Sequence, residues 1–104
     1  MKASLLVHRE RIFGNGRYVV TIVVYEVEKS KKFPEGIKAK YLLKNATEGY
    51  ARLLVDNHHP YGFHMHTQLP DNHEHREVLE SQNYEEALMF FWAEVERIMK
   101  NEEE

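Results

Sequence analysis

The run from Tyr18 to Val27 constrains the fold of this chain more than any other segment. It is dense in Val and Ile, and β-branched residues favour strands. Its nearly continuous apolar character predicts a strand in the middle of a sheet. Gly14-Asn15-Gly16 lies just before it, and Asn-Gly is a strong hairpin signal because both residues tolerate positive φ. Residues 3–13 are therefore predicted to pair with this run as a first strand.

Three later segments are predicted to extend the sheet. Ile37–Leu43 alternates between apolar residues and lysines, which places the two kinds of side chain on opposite faces. Tyr50–Asp56 is predicted to be a fourth strand. Phe63–Thr67 is a candidate fifth strand, and it is short. On that strand the same alternation separates two sets of side chains, which are Phe63, Met65 and Thr67 on one face and His64 and His66 on the other.

A helix is predicted near the end of the chain. Asn83 is a good N-cap, and Glu86 three residues later completes a pair resembling a capping box. Apolar residues then recur at helical spacing, at Leu88, Phe91, Trp92, Val95 and Met99. These elements predict an α+β fold, in which an antiparallel sheet of four to five strands packs against one C-terminal helix. We expect a single domain over residues 1–104.

Met89 and Phe90 fall outside the apolar stripe of the predicted helix. Two large apolar groups on a polar helix face are typical of a partner contact. That partner is either a second copy, which makes a homodimer, or a different protein. The alternative is that a loop or the segment 68–82 folds over both side chains.

The composition narrows the class of protein. The chain has no apolar run of about 18 residues, no signal-peptide layout and no cysteine. We therefore expect a soluble cytoplasmic protein with no membrane span and no thiolate metal site. Residues 29–52 hold seven Lys/Arg against two acids, whereas residues 71–104 hold eleven acids against three basic residues. The two regions either face different partners or are both simply solvated surfaces.

The histidines are the most informative feature for function. Six of the seven lie between His58 and His75. On a strand, His64 and His66 share a face about 6–7 Å apart. Such a pair either chelates a divalent metal or flanks a phosphodiester as general base and general acid. The alternative is that both imidazoles merely cover the polar face of a short edge strand.

Asp56 and Asn57 immediately follow the fourth predicted strand. A strand end is a good platform for functional side chains because the sheet holds it rigidly. The carboxylate of Asp56 is placed either to orient an imidazole or to hold a metal. Ordinary turn chemistry, in which Asp and Asn bind nearby backbone groups, explains the same two residues without any function.

The segment Val55–His66 (VDNHHPYGFHMH) resembles the mid-chain signature of the TumE family of toxin–antitoxin proteins, with an Asp-Asn, a Gly and a His-x-His. The opening MKASLLVHRE and the aromatic Tyr84 ahead of the glutamates of the helix fit the same family, so the resemblance covers nearly the whole chain. It implies a toxin encoded beside a small helix-turn-helix antitoxin. The family signature maps onto Asp56, Asn57, Gly62, His64 and His66.

The first functional hypothesis is a toxin-like enzyme with ribonuclease-like or RNA-modifying activity. Its catalytic residues are His64 and His66, supported by Asp56 and His58. The residues expected to bind the RNA substrate are Asn57, Lys38, Lys40 and Lys44, because a basic face follows a phosphate backbone.

Two other hypotheses stay open from the sequence. One is a metal-binding enzyme or sensor, which holds a divalent metal such as zinc through His64, His66 and one of Asp56, His58 or His75. The other is a non-enzymatic interaction module, in which Met89 and Phe90 contact a partner such as a DNA-binding antitoxin. In that module the histidines are surface or pH-sensing groups.

Overall fold

The computed structural model describes residues 3–58, 61–72, 74–80 and 83–102. Within these ranges the chain forms six strands followed by one helix. The strands are β1 (Ser4–Phe13), β2 (Tyr18–Glu26), β3 (Ile37–Asn45), β4 (Tyr50–Asp56), β5 (His64–His66) and β6 (Glu77–Val78), and the helix is α1 (Tyr84–Glu102). The predicted α+β class, with an antiparallel sheet and one C-terminal helix, is confirmed.

The sheet is a meander in which every strand pairs with its neighbours in sequence. The strand order is β1-β2-β3-β4-β5-β6, and all pairs are antiparallel. The run beginning at Tyr18 is an inner strand, as its continuous apolar character predicts. Its hairpin to β1 turns through Gly14, Asn15 and Gly16, whose φ values of 64°, 57° and 83° are all positive. The Asn-Gly signal therefore identifies the turn correctly.

The core lies between one face of the sheet and α1. Alternate residues of the strands are buried on this face, and they include Val20, Ile22, Tyr41, Leu43, Leu53 and Val55. From the helix, Ala87, Phe91, Val95 and Ile98 close the core. The Tyr41 hydroxyl donates a hydrogen bond to the Tyr84 carbonyl at 2.7 Å, so the first turn of α1 is fixed onto β3.

The predicted apolar stripe is rotated slightly in the structure. Phe91 and Val95 are buried as expected, whereas Leu88, Trp92 and Met99 are only partly buried against the core. Ala87 and Ile98 share the buried centre of the helix face instead. The helix sits over β3 and β4, so the larger side chains extend sideways toward β1 and β2.

Two strands differ from the sequence prediction. The fifth strand covers only His64–His66, and β6 pairs with it through His64 with Val78 and Met65 with Glu77. No sixth strand is predicted from the sequence, because a segment of two residues has no periodicity to detect. Because β6 pairs with β5, β5 is an inner strand, and the alternative in which the histidines cover a short edge strand does not hold.

Met89 and Phe90 are 71% and 43% exposed. The described part of the segment 68–82 therefore leaves both side chains accessible, and a partner contact there stays a prediction. Among the described residues, no helix combines the length and apolarity needed to cross a membrane.

Candidate functional site

The strand register brings Asp56 and the two histidines of β5 together. Asp56 pairs with Lys40 on one side and with His64 on the other, and Leu54 pairs with His66. Because Met65 points into the core, its two neighbours lie on the opposite side of the sheet. We call this side the open face. It carries Lys40, Asp56, His64 and His66 away from the helix.

His64 is fully buried, at 0% exposure. Its Nδ1 lies 2.7 Å from the Gly62 carbonyl oxygen. A carbonyl can only accept, so Nδ1 carries the proton and Nε2 is left with its lone pair in a neutral ring. Nε2 is buried, and none of the residues that the structure describes forms a hydrogen bond with it. Burial lowers the pKa of His64, and the Gly62 hydrogen bond opposes that shift only in part.

Gly62 presents this carbonyl from a backbone conformation with φ of 65°. Residues with a Cβ rarely adopt that conformation, so glycine is suited to this position. The predicted signature glycine therefore has a physical role. It fixes the tautomer of His64.

Three rings surround the imidazole of His64. The ring centroids of His58, Tyr61 and His66 lie 5.1, 5.6 and 5.0 Å from it, all in edge or tilted arrangements. His58 and Tyr61 also meet edge-on at 6.0 Å. We call these four side chains the ring cluster. It holds the imidazoles in fixed orientations that a loose surface histidine would not have.

Asp56 fixes the position of the His58 imidazole. Its Oδ1 accepts hydrogen bonds from the backbone N–H groups of Asn57 at 2.6 Å and His58 at 3.3 Å, and Oδ2 lies 3.3 Å from Nδ1 of His58. The carboxylate therefore performs turn chemistry and also orients an imidazole. The two side chains are about one third exposed, at 30% and 34%.

His66 is anchored in a similar way. Its Nδ1 lies 3.1 Å from the carbonyl oxygen of His75 and donates to it, which leaves Nε2 as the acceptor nitrogen of the neutral ring. The side chain is only half-buried. His58 and His66 are thus the imidazoles that a substrate can reach, whereas His64 lies between them as a buried support.

Asn57 supports the site from within the sheet. Its side chain is 2% exposed, its Oδ1 accepts from the Ala39 N–H at 3.0 Å, and its Nδ2 donates to the Ile37 carbonyl at 2.8 Å. The amide is therefore used to join the end of β4 to the start of β3. The structure does not place it on the open face beside the imidazoles, so the substrate contact expected from the sequence has no geometric support.

The three lysines of β3 lie on the open face. Lys38, Lys40 and Lys44 are exposed and alternate with the buried residues Ala39 and Tyr41. Lys40 stands directly across from Asp56. The structure thus brings the predicted basic face and the histidines onto one surface, two strands apart. His59 and His73 lie outside the described residues.

Tyr61 and Arg76 complete the site, and the sequence reasoning missed both. The guanidinium carbon of Arg76 lies 4.1 Å from the centroid of the Tyr61 ring. Arg76 has no motif around it and becomes visible only through the pairing of β6 with β5. The proximity of Tyr61 to the histidines in sequence was the one available signal.

The predicted metal set is not assembled. In the ranges that the structure describes, no group of three or more His, Asp or Glu side chains is arranged to hold a metal. The Nδ1 atoms of His64 and His66 are engaged with carbonyl oxygens, so Nε2 is the nitrogen of each ring that carries a lone pair. Within these ranges His64, His66 and Asp56 share a face but do not form a metal-holding group.

No family model, no curated protein and no solved structure matches the chain. Its chemistry has to be inferred from the site itself. The site combines two accessible, oriented imidazoles, an arginine and a carboxylate that is already engaged. Such a set is suited to proton transfer beside a bound anion.

Proposed function

We propose that the protein is the toxin of a toxin–antitoxin pair and that it cleaves RNA at the histidine site by general acid–base catalysis. The observation that carries this proposal is the orientation of two accessible imidazoles around one buried imidazole. Asp56 orients His58, and the His75 carbonyl orients His66. The resemblance to the TumE signature and the basic face of β3 support the choice of RNA.

The proposed reaction needs one base and one acid. One imidazole takes the proton from a ribose 2′-hydroxyl as that oxygen bonds to the adjacent phosphorus. The other imidazole donates a proton to the 5′-oxygen as the bond between it and phosphorus breaks. The products are a 2′,3′-cyclic phosphate end and a 5′-hydroxyl end. Imidazole is suited to both roles because it ionises near neutral pH.

His58, His64 and His66 differ in burial, and we assign them different roles for that reason. His58 and His66 contact the substrate as acid and base. His64 packs against both rings and is a positioning residue, because a fully buried imidazole cannot reach a phosphodiester in this conformation. The predicted catalytic pair His64 and His66 is therefore replaced in this proposal by His58 and His66.

A His66→Ala variant tests the proposal. We expect wild-type protein to arrest growth when it is induced in a bacterial host and to leave RNA fragments with cyclic phosphate ends. The cleavage rate of the His66→Ala variant should be about 10²–10⁴-fold lower, which is the usual contribution of a general acid or base.

His8→Ala is the matched control, because His8 is exposed on β1 and its replacement should not change the cleavage rate. Circular dichroism checks that both variants are folded. A folded His66→Ala variant that cuts RNA as fast as wild type contradicts the proposal.

A further inference from the structure

We infer that Arg76, held on the ring of Tyr61, is the phosphate-binding residue of this site. The inference rests on the proposed function only for the source of the phosphate, which is then the scissile group of RNA. The binding of phosphate itself is a separate property and can be measured without any turnover.

The strand pairing places Arg76 beside the histidines. Glu77 pairs with Met65, which lies in the core, and Val78 pairs with His64 on the open face. The alternation therefore puts Arg76, one residue before Glu77, on the open face next to His66. The hydrogen bond from Nδ1 of His66 to the His75 carbonyl supports this placement, because that carbonyl belongs to the peptide bond between His75 and Arg76.

The Tyr61 ring fixes the guanidinium without using its donors. The guanidinium carbon lies 4.1 Å from the ring centroid, which is a cation–π contact. Because the ring contacts the cation without taking a conventional hydrogen bond, the N–H groups stay available as the fork that binds two oxygens of one anion. Tyr61 in turn touches His58 and His64. Arg76 is thus positioned by the same ring cluster that positions the imidazoles.

One donor of Arg76 is unsatisfied. Its Nε is buried, and no hydrogen-bond acceptor for it is found among the described residues. The ion pairs between Asp56 and His58 and between Glu94 and Arg97 do not include Arg76. A buried unpaired donor on a cation is costly, and an anion that binds there removes the cost.

Phosphate fits this position better than a carboxylate does. A carboxylate has two oxygens, both of which the guanidinium fork would take. A tetrahedral phosphate offers further oxygens, and the imidazoles of His66 and His58 donate to such oxygens in their protonated form. The nearby Asp56 does not block an anion strongly, because its oxygens already accept from Asn57 and His58.

Titration with inorganic phosphate tests the inference. Isothermal calorimetry at pH 7 and low salt would compare wild type, Arg76→Ala, Arg76→Lys and Arg11→Ala. We expect Arg76→Ala to weaken binding by at least about tenfold, as loss of hydrogen bonds to a charged group predicts. Arg76→Lys keeps the charge but not the fork, so it should fall between Arg76→Ala and wild type. Arg11→Ala removes the same charge on β1, at the other edge of the sheet, and should bind as wild type does.

The outcomes separate this inference from the proposed function. If wild type binds no phosphate at millimolar concentration, or if folded Arg76 variants bind it as wild type does, the inference is wrong, even where RNA is cleaved. If phosphate binding depends on Arg76 but wild type cleaves no RNA, the assignment of Arg76 is supported and the proposed function is contradicted. Thermal unfolding of each variant checks folding, and Arg76→Lys serves where Arg76→Ala does not fold.

Discussion

At the scale of single residues, His64 is the unusual member of the site. Its imidazole is fully buried in neutral form. Nδ1 is hydrogen-bonded to the Gly62 carbonyl, and Nε2 has no hydrogen-bond partner in the described part of the chain. A surface histidine has neither property. The sequence identifies His64 correctly as part of the site but cannot show that it is buried, because β6 and the ring of Tyr61 enclose it through contacts that no local pattern encodes.

The lowered pKa of His64 predicts a loss of stability in mild acid. Burial is the main cause of the lowered pKa, while in the unfolded chain the group titrates near 6.5. As pH falls through 6.5, the unfolded chain therefore takes up a proton that the folded chain resists, and the free energy of unfolding decreases. Urea unfolding between pH 7 and pH 5 measures this decrease. His64→Asn, which keeps a donor near the Nδ1 position, should lose less stability than wild type over the same range.

The difference between the two pH profiles measures what the His64 imidazole contributes, because the variant lacks that group. If His64→Asn loses as much stability as wild type, His64 does not resist protonation in the folded protein, and its assignment as a buried neutral support fails.

At the scale of elements, the side chain of Asn57 joins two strands through hydrogen bonds. β4 ends at Asp56, and the side chain of Asn57 continues the ladder by binding Ala39 and Ile37 of β3. This keeps the end of β4 in register, and the carboxylate of Asp56 depends on that position. A residue that the sequence suggested for substrate binding thus holds the platform under the site.

Asn57→Ala should destabilise the protein by about 2–4 kcal/mol, since two buried backbone groups lose their partner. Urea unfolding of the variant and of wild type measures the difference. Asn72→Ala is the control, because its exposed Oδ1 also accepts two backbone hydrogen bonds, from Glu74 and His75. Water replaces those bonds, so less than about 1 kcal/mol is expected. Equal losses in the two variants would mean that burial is not what makes Asn57 important.

Elements were predictable from the sequence in proportion to the length of their patterns. β2 carries a long run of apolar, β-branched residues, α1 carries a long helical periodicity, and the Gly14-Asn15-Gly16 turn has its own backbone chemistry. β6 has two residues and carries no pattern at all. The site follows the same rule. Its histidines cluster in sequence and were found, whereas Arg76 reaches them only through β6 and was missed.

At the scale of the whole molecule, the two layers carry different charge. β3 presents Lys38, Lys40 and Lys44 on the open face, whereas α1 has Glu85 and Glu86 in its first turn and lies on the opposite side. An RNA strand is therefore attracted to the face that carries the histidines and repelled from the helix layer. The lysine row on β3 and the site on β5 lie two strands apart, or about 10 Å. A backbone that follows the lysines thus passes next to the imidazoles.

This arrangement predicts how RNA binding depends on salt. Each phosphate contact to a single strand contributes a slope of about −0.7 to the plot of log binding constant against log salt. Replacing Lys38, Lys40 and Lys44 together by Gln should therefore make the slope shallower by about 2. Fluorescence anisotropy of a labelled oligoribonucleotide with the His66→Ala variant, from 50 to 200 mM salt, measures the slope without cleavage.

A second triple variant of Lys29, Lys31 and Lys32 is the control, because it removes the same charge from the loop between β2 and β3. If both triple variants change the slope equally, only net charge matters and the open face is not the path of the RNA. If the β3 variant alone changes it, the strand lies along β3, because counterion release depends on where the phosphates are contacted.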